Sequence, residues 1–464
     1  MKRLFAFLAF AACLAACSKD ESDPEFDPPK PPAAISLSAN SFTVPYQGET
    51  LTLTVTAPQR PSLSGQPDWI SVSENGVYKD YELRFDLKVA ANTSAEERSA
   101  TLTVHSGSLS QTLSVRQSAL EQPHLNIDPG LTAKTSSAAA VKVYDFLREN
   151  AGLKMLSGVQ SGGTANNNER INQIYGMTGK HPALAGYDYI FLQYSPTPDN
   201  WSWKVNYEDI SAAKEQWANN GLVSFMWHWN VPTSEEAWNN GKNGNFEGYN
   251  FYCKDTAFSI ERALTDGTWE HDFILQDIEK VAGYLKLLQA EGIPVLWRPL
   301  HEAAGNYTLY GSNGAWFWWG RGGAEPCKAL WKLLRDKLEW EYGLDNLIWV
   351  WTLDATVGAE ADYAKWYPGN DLVDIVGVDI YAEDTEAKAR QYQAAVALSG
   401  GRKLVTVSEC GNIPDPEKCI VAGQTWSWFL TWDLESYKLN TESYWKTLMA
   451  SPMVLTREQM PSFK

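Results

Sequence analysis

The tightest constraint on the fold is a repeat. From about Thr135 onward, short apolar runs alternate with amphipathic stretches. Strand candidates fall at residues 155–160, 182–187, 222–227, 294–300, 347–352, 374–380, 404–407 and 426–430. Segments with helical periodicity lie between them, such as 276–289 and 328–340, long enough to return the chain and start another parallel strand. Eight such units predict a (β/α)8 barrel. In that fold chemistry gathers at the C-terminal ends of strands, so polar residues just past each apolar run become the candidates.

Two carboxylates stand at that position. Glu302 follows Pro299-Leu300-His301 after the fourth strand candidate, and Glu409 follows Val405-Thr406-Val407-Ser408 after the seventh. Facing each other across a barrel mouth at about 5 to 5.5 Å, one would attack an anomeric carbon while the other protonates the leaving oxygen. Such a pair implies retention of configuration. Position alone leaves a second reading open, in which either glutamate is a salt-bridge partner of a barrel arginine such as Arg298.

Composition narrows the partners. Asp and Glu number 56 against 39 Lys and Arg, a formal net charge of -17 that repels phosphate backbones and disfavours nucleic acid. Of the 21 tryptophans only Trp69 precedes the repeat region. Flat aromatic side chains serve cores and also stack on sugar rings, and core packing alone accounts for about half of so many. Glycosidic cleavage by paired carboxylates needs no cofactor and no metal. His301-Glu302 does not extend to HExxH, because Gly305 stands where the second histidine would be.

The N-terminus is expected to be a targeting segment: basic Lys2-Arg3, then an apolar stretch from Leu4 to Ala12 too short to span a bilayer. Leu14-Ala15-Ala16-Cys17 resembles a bacterial lipobox, which implies a signal peptide over 1–17 and a lipid on Cys17. The following Ser18-Lys19-Asp20-Glu21 resembles the surface-export tag of Bacteroidetes lipoproteins, implying an outer-membrane lipoprotein exposed at the cell surface. A Pro-rich tether follows over 18–33. Four cysteines remain, Cys253, Cys327, Cys410 and Cys419; disulfides are permitted outside the cell, and their pairing is open.

Between 34 and 120 the pattern alternates with period two, as in Leu51, Leu53, Val55 and in Leu83, Phe85, Leu87, Val89. With Leu102, Val104 and Leu113, Val115 this predicts a small immunoglobulin-like antiparallel β-sandwich, joined by a linker at 121–134 to a domain at 135–464. Pro67-Asp68-Trp69-Ile70-Ser71-Val72, Glu97-Arg98-Ser99-Ala100-Thr101-Leu102 and Val115-Arg116-Gln117 resemble the BACON family. That name implies carbohydrate binding, while Trp69 reads more simply as a sandwich-core residue and the module as a spacer.

Trp297-Arg298-Pro299-Leu300-His301-Glu302, followed by Trp316-Phe317-Trp318-Trp319-Gly320, resembles glycoside hydrolase family 26. Trp227-His228-Trp229-Asn230, the run from Asp374 to Tyr381, and Ser408-Glu409 add to the likeness. The resemblance implies Glu302 as acid/base and Glu409 as nucleophile, with His228, His301, Trp316 and Tyr381 around the sugar. It further implies a retaining endo-β-1,4-mannanase acting on plant mannan. Mixed-linkage glucan or β-1,3-xylan hydrolysis, or glycan binding without turnover, stay open. His228 between two tryptophans also reads as a core histidine, and Trp318 and Trp319 as wall or core. One departure from the family is an elongated stretch, residues 303–315, between Glu302 and the aromatic cluster, able to form a subsite wall through Tyr307 or Tyr310.

Overall fold

A computed structural model describes residues 30–94, 96–120, 125–161, 166–307, 311, 314–355 and 363–464. The signal segment, Cys17, nearly all of the tether, part of the linker and Tyr310 lie outside the described residues. The chain divides into two compact units, one strand-rich and one holding the repeats.

The strand-rich unit is a β-sandwich of two four-stranded sheets. Alternation sends Leu53, Val55, Leu83, Phe85, Leu87, Leu102, Val104, Leu113 and Val115 into a common core. One pairing departs from the antiparallel expectation: Ser41–Val44 runs parallel to Leu109–Gln117. Trp69 packs against this core, with the Arg98 guanidinium 4.5 Å above its ring, which satisfies the core reading of that residue.

In the second unit eight parallel strands close on themselves, Met155–Gln160, Leu184–Asp188, Leu222–Met226, Val295–Arg298, Leu347–Asp354, Ile375–Ile380, Leu404–Cys410 and Trp426–Thr431, numbered here one to eight. Strand one pairs with both strand two and strand eight, so the barrel has no free edge. Nearly every strand residue is buried, since one face lines the barrel interior and the other meets the helices. A short segment, Val454–Leu455, pairs in parallel with Met155 and Leu156 at the start of strand one. Helix Trp269–Ala290 covers the segment read as helical at 276–289, and Ala324–Arg335 continues into a π-helical turn, Asp336–Glu341. At least ten tryptophans are almost wholly buried, Trp318 and Trp319 among them. With Trp217, Trp238, Trp351 and Trp366 also buried, packing takes about two thirds of the 21 tryptophans, more than the half expected, and the open reading of that pair resolves to core.

Candidate active site

Strands four and seven deliver the two glutamates differently. Strand four stops at Arg298, and the chain then turns through two non-glycine residues in the left-handed region, Leu300 (φ 51°) and Glu302 (φ 52°). Such backbone costs on the order of 1–3 kcal/mol per residue and persists only where surroundings hold it. Here Leu300 is buried, the Glu302 amide donates to the Thr352 carbonyl (3.2 Å) and the Gly305 amide donates to the Glu302 carbonyl (2.8 Å). Glu409, expected just beyond its strand, lies within it, because strand seven runs on to Cys410. Irregular pairing with strand six near Asp379 and with strand eight between Val407 and Cys410 shifts the register around it.

Barrel closure brings the carboxyl groups together. One oxygen each from Glu302, Asp379 and Glu409 lie within 4.8 Å of one another. Arg298 answers this charge: its Nη1 donates to Asp379 Oδ2 (2.9 Å) and its Nη2 to Glu409 Oε2 (2.6 Å). Asp379 Oδ1 also accepts from the Ser408 hydroxyl (2.8 Å), and the Tyr381 phenol donates to Glu409 Oε1. Arg298 is thus the partner of Glu409, as the salt-bridge reading allowed, while among the described residues no cation is bonded to the Glu302 carboxyl. Burial, reinforced by the carboxylates of Asp379, Glu409 and Asp354, holds the Glu302 carboxyl well above its usual range, with Arg298 pulling weakly the other way. Burial and the Glu409 charge likewise keep the Tyr381 phenol protonated.

The remaining sequence-derived residues gather at the same mouth. His228, after strand three, receives the Asp188 carboxylate at Nδ1 (2.6 Å), and its backbone amide donates to the other Asp188 oxygen (3.1 Å). This fixes the ring rather than leaving it as an idle core histidine. His301 stands edge-on to His228 at 4.6 Å between centroids, and burial first, then His228 and Arg298, push it far below its usual value, so it stays neutral. Trp319 Nε1 donates to the His301 carbonyl (2.9 Å), which gives that buried tryptophan a positioning part.

Trp316 is 42% exposed. Its backbone amide donates to the Gly305 carbonyl (2.9 Å), so at Trp316 the chain meets the backbone three residues past Glu302. A Cβ on Gly305 would sit 2.9 Å from the Glu302 carbonyl oxygen and 3.6 Å from Trp316 Cβ, so only glycine admits this approach. Trp316 also lines a surface cavity of about 410 Å³ with Tyr252, Lys254, Asn306, Gly314 and Ala315. Tyr307 packs edge-on against Trp366 at 5.1 Å. Tyr381 is 48% exposed at the end of strand six.

Residue-type reasoning missed Asp188 as the holder of His228, Asp379 as the second arm on Arg298, and Trp432, whose ring lies 5.9 Å from that of His228. Asp188 ends strand two, Asp379 lies near the end of strand six and Trp432 follows strand eight, so the same strand-end rule applied to every strand would have named them.

A closed parallel barrel with a protonation-biased carboxyl and an arginine-bound carboxyl under 5 Å apart at its mouth defines a barrel glycoside hydrolase. Residues 132–459 match the model for glycosyl hydrolase family 26, and the chain belongs to that family. Residues 43–118 match the N-terminal BACON domain model. A mannan endo-1,4-beta-mannosidase B from Piromyces sp is 36% identical over 349 residues, 73% of this chain and 54% of that one. A mannan endo-1,4-beta-mannosidase from Thermothelomyces thermophilus is 33% identical, over 74% of this chain and 66% of the other. The chain thus spans about half to two thirds of the length of these curated relatives. Among solved structures, the GH26 domain of an endo-beta-mannanase/endo-beta-glucanase from Prevotella bryantii aligns with a TM-score of 0.64 at 33% identity, over 72% of this chain and 99% of that domain. A beta-mannanase from a symbiotic protist of the termite Reticulitermes speratus, complexed with gluco-manno-oligosaccharide, aligns with a TM-score of 0.61 at 32% identity, over 73% and 100%.

Proposed function

We propose that this protein is a retaining endo-β-1,4-mannanase. The observation that carries the reading is that one carboxyl oxygen of Glu302 lies within 4.8 Å of one of Glu409, which fits the spacing of a retaining pair, about 5–5.5 Å, rather than that of an inverting pair, about 6.5–9.5 Å. The unlike surroundings of the two groups assign the roles. Glu409, held by Arg298 and Tyr381, attacks the anomeric carbon as the glycosidic C–O bond breaks, and Glu302 gives its proton to the departing oxygen. Glu302, now a carboxylate, takes a proton from water, which attacks the same carbon and frees Glu409. His228, His301 and Tyr381 stand around the sugar at the cleavage point, and Trp316 offers an exposed ring as the platform of that subsite. Mannan as substrate rests on the mannanases to which the chain is similar.

The export signal and Cys17 support placement as a lipid-anchored protein on the outer face of the cell. Labelled-lipid incorporation that Cys17→Ala abolishes would support the anchor, and unchanged incorporation would remove it. For the activity, protein starting at residue 18 is incubated with mannan, galactomannan, mixed-linkage glucan and β-1,3-xylan, beside Glu302→Ala and Glu409→Ala. Mixed-length products from mannan that vanish in both variants are expected. Cleavage of another polymer alone would replace the substrate, and binding without cleavage would overturn the enzyme reading.

A further inference from the structure

The Tyr381 phenol reaches Glu409 from an exposed position one residue past strand six, so something must hold its ring. The ring of Tyr437, from the segment following strand eight, lies against it at 5.9 Å between centroids. The two rings meet over Gly411, two residues beyond Glu409. A Cβ there would fall 2.6 Å from Tyr437 Cε1, 2.7 Å from its Cδ1 and 3.2 Å from Tyr381 Cδ1. The first two are closer than packed carbon atoms tolerate, so the absent side chain is the slot that both rings fill.

The segment carrying Tyr437 is fastened to the strand that carries Glu409. Asn440 Nδ2 donates to the Gly411 carbonyl (2.8 Å), while its Oδ1 accepts from the Ile413 amide (3.0 Å). The Leu439 amide donates to Asn412 Oδ1 (3.2 Å), and Thr431 Oγ1 donates to the Gly411 carbonyl (3.1 Å). Nucleophile, glycine slot and Tyr437 therefore move as one body, and Tyr381 is the piece clamped between them.

We propose that Tyr437 is a positioning residue, acting through Tyr381 to aim its hydrogen bond at Glu409, with Gly411 as the seat. The inference rests on the proposed double-displacement reading of this site. A loosened Tyr381 no longer directs its phenol hydrogen bond at Glu409 Oε1, and the carboxylate loses the contact that aims it. A displacement on the order of 1 Å at a reacting group costs roughly a hundredfold in rate.

The test compares wild type with Tyr437→Phe, Tyr437→Ala and Gly411→Ala on mannan, or on whichever glycan the wild type cleaves. Readouts are kcat, KM and the melting temperature, with rates taken per folded molecule. Tyr437→Phe keeps the ring and is expected to retain activity within about threefold. Tyr437→Ala and Gly411→Ala are expected to lose roughly ten- to a hundredfold in kcat with a smaller change in KM. A kcat within about threefold of wild type in both, or Tyr437→Phe falling as far as Tyr437→Ala, would overturn the inference while leaving the reaction in place. Should a variant fold poorly, the rate per folded molecule, with the folded fraction read from its melting curve, still decides. A wild type that cleaves no glycan overturns the reaction and this inference together.

Discussion

Replacing Arg298 by methionine should expose how the site's charge is held. The guanidinium is buried and bonded to Asp379 at 2.9 Å and Glu409 at 2.6 Å, with Glu302 close by. Methionine follows the aliphatic stem of arginine but stops short of the guanidinium and leaves two buried carboxylates without their cation. Removing one partner of a buried ion pair costs about 3–5 kcal/mol, and here the lost partner is shared by two. For a domain of this size that is a fall in melting temperature on the order of 5–10 °C. The loss should depend on pH, with a definite sign. Arg298 draws the Asp379 proton affinity down against burial, so without it the folded-state value rises further above the unfolded one of about 3.9. A carboxyl whose folded pKa is raised binds its proton more tightly when folded, so the stability this brings is present at low pH and lost as pH rises through the folded value. The deficit of Arg298→Met against wild type is therefore larger at pH 7 than at pH 5, and adding Asp379→Asn should restore part of it, measured by melting curves at both pH values. A deficit below about 1 kcal/mol at pH 7, or one equal at the two pH values, would refute the reasoning.

Two further outcomes follow from the same geometry. Glu302→Gln should lower kcat/KM by roughly a hundred- to ten-thousandfold and abolish the alkaline limb of the pH profile. Because the raised Glu302 value destabilises the fold as pH climbs past it, this variant should also melt higher than wild type at neutral pH and equally at pH 4, read by the same melting curves. Trp316→Ala removes an exposed ring whose backbone is bonded to Gly305, three residues past Glu302, so it should raise KM on oligosaccharides several-fold with little change in melting temperature, as kinetics on short chains would report.

The barrel was legible because its strands are buried on both faces and so appear as unbroken apolar runs. Their ends were less so: the seventh candidate stopped at Val407, whereas the strand continues through Glu409 to Cys410, across register shifts that no local pattern records. The sandwich's parallel pair, Ser41–Val44 with Leu109–Gln117, joins segments far apart in sequence and leaves the period-two alternation unchanged, so nothing in that alternation distinguishes it. Glu302 and Glu409 stood out by position and motif. Arg298 stood out as a candidate partner, but Asp379 and Ser408 beside it, and Asp188 behind His228, gain their meaning only when strands two, four, six and seven are drawn to one mouth. The stretch after Glu302 read as a departure that displaced Trp316, yet a single backbone bond joins Trp316 to Gly305, three residues past Glu302.

The central claim is double displacement by the Glu302 and Glu409 pair, and the most direct measurement is the anomeric configuration of the first products, followed by proton NMR from the start of mannan hydrolysis. Retention is expected, with the β-anomer appearing first and the α-anomer growing in later by mutarotation. An α-anomer formed first would mean a single inverting displacement and would contradict the account.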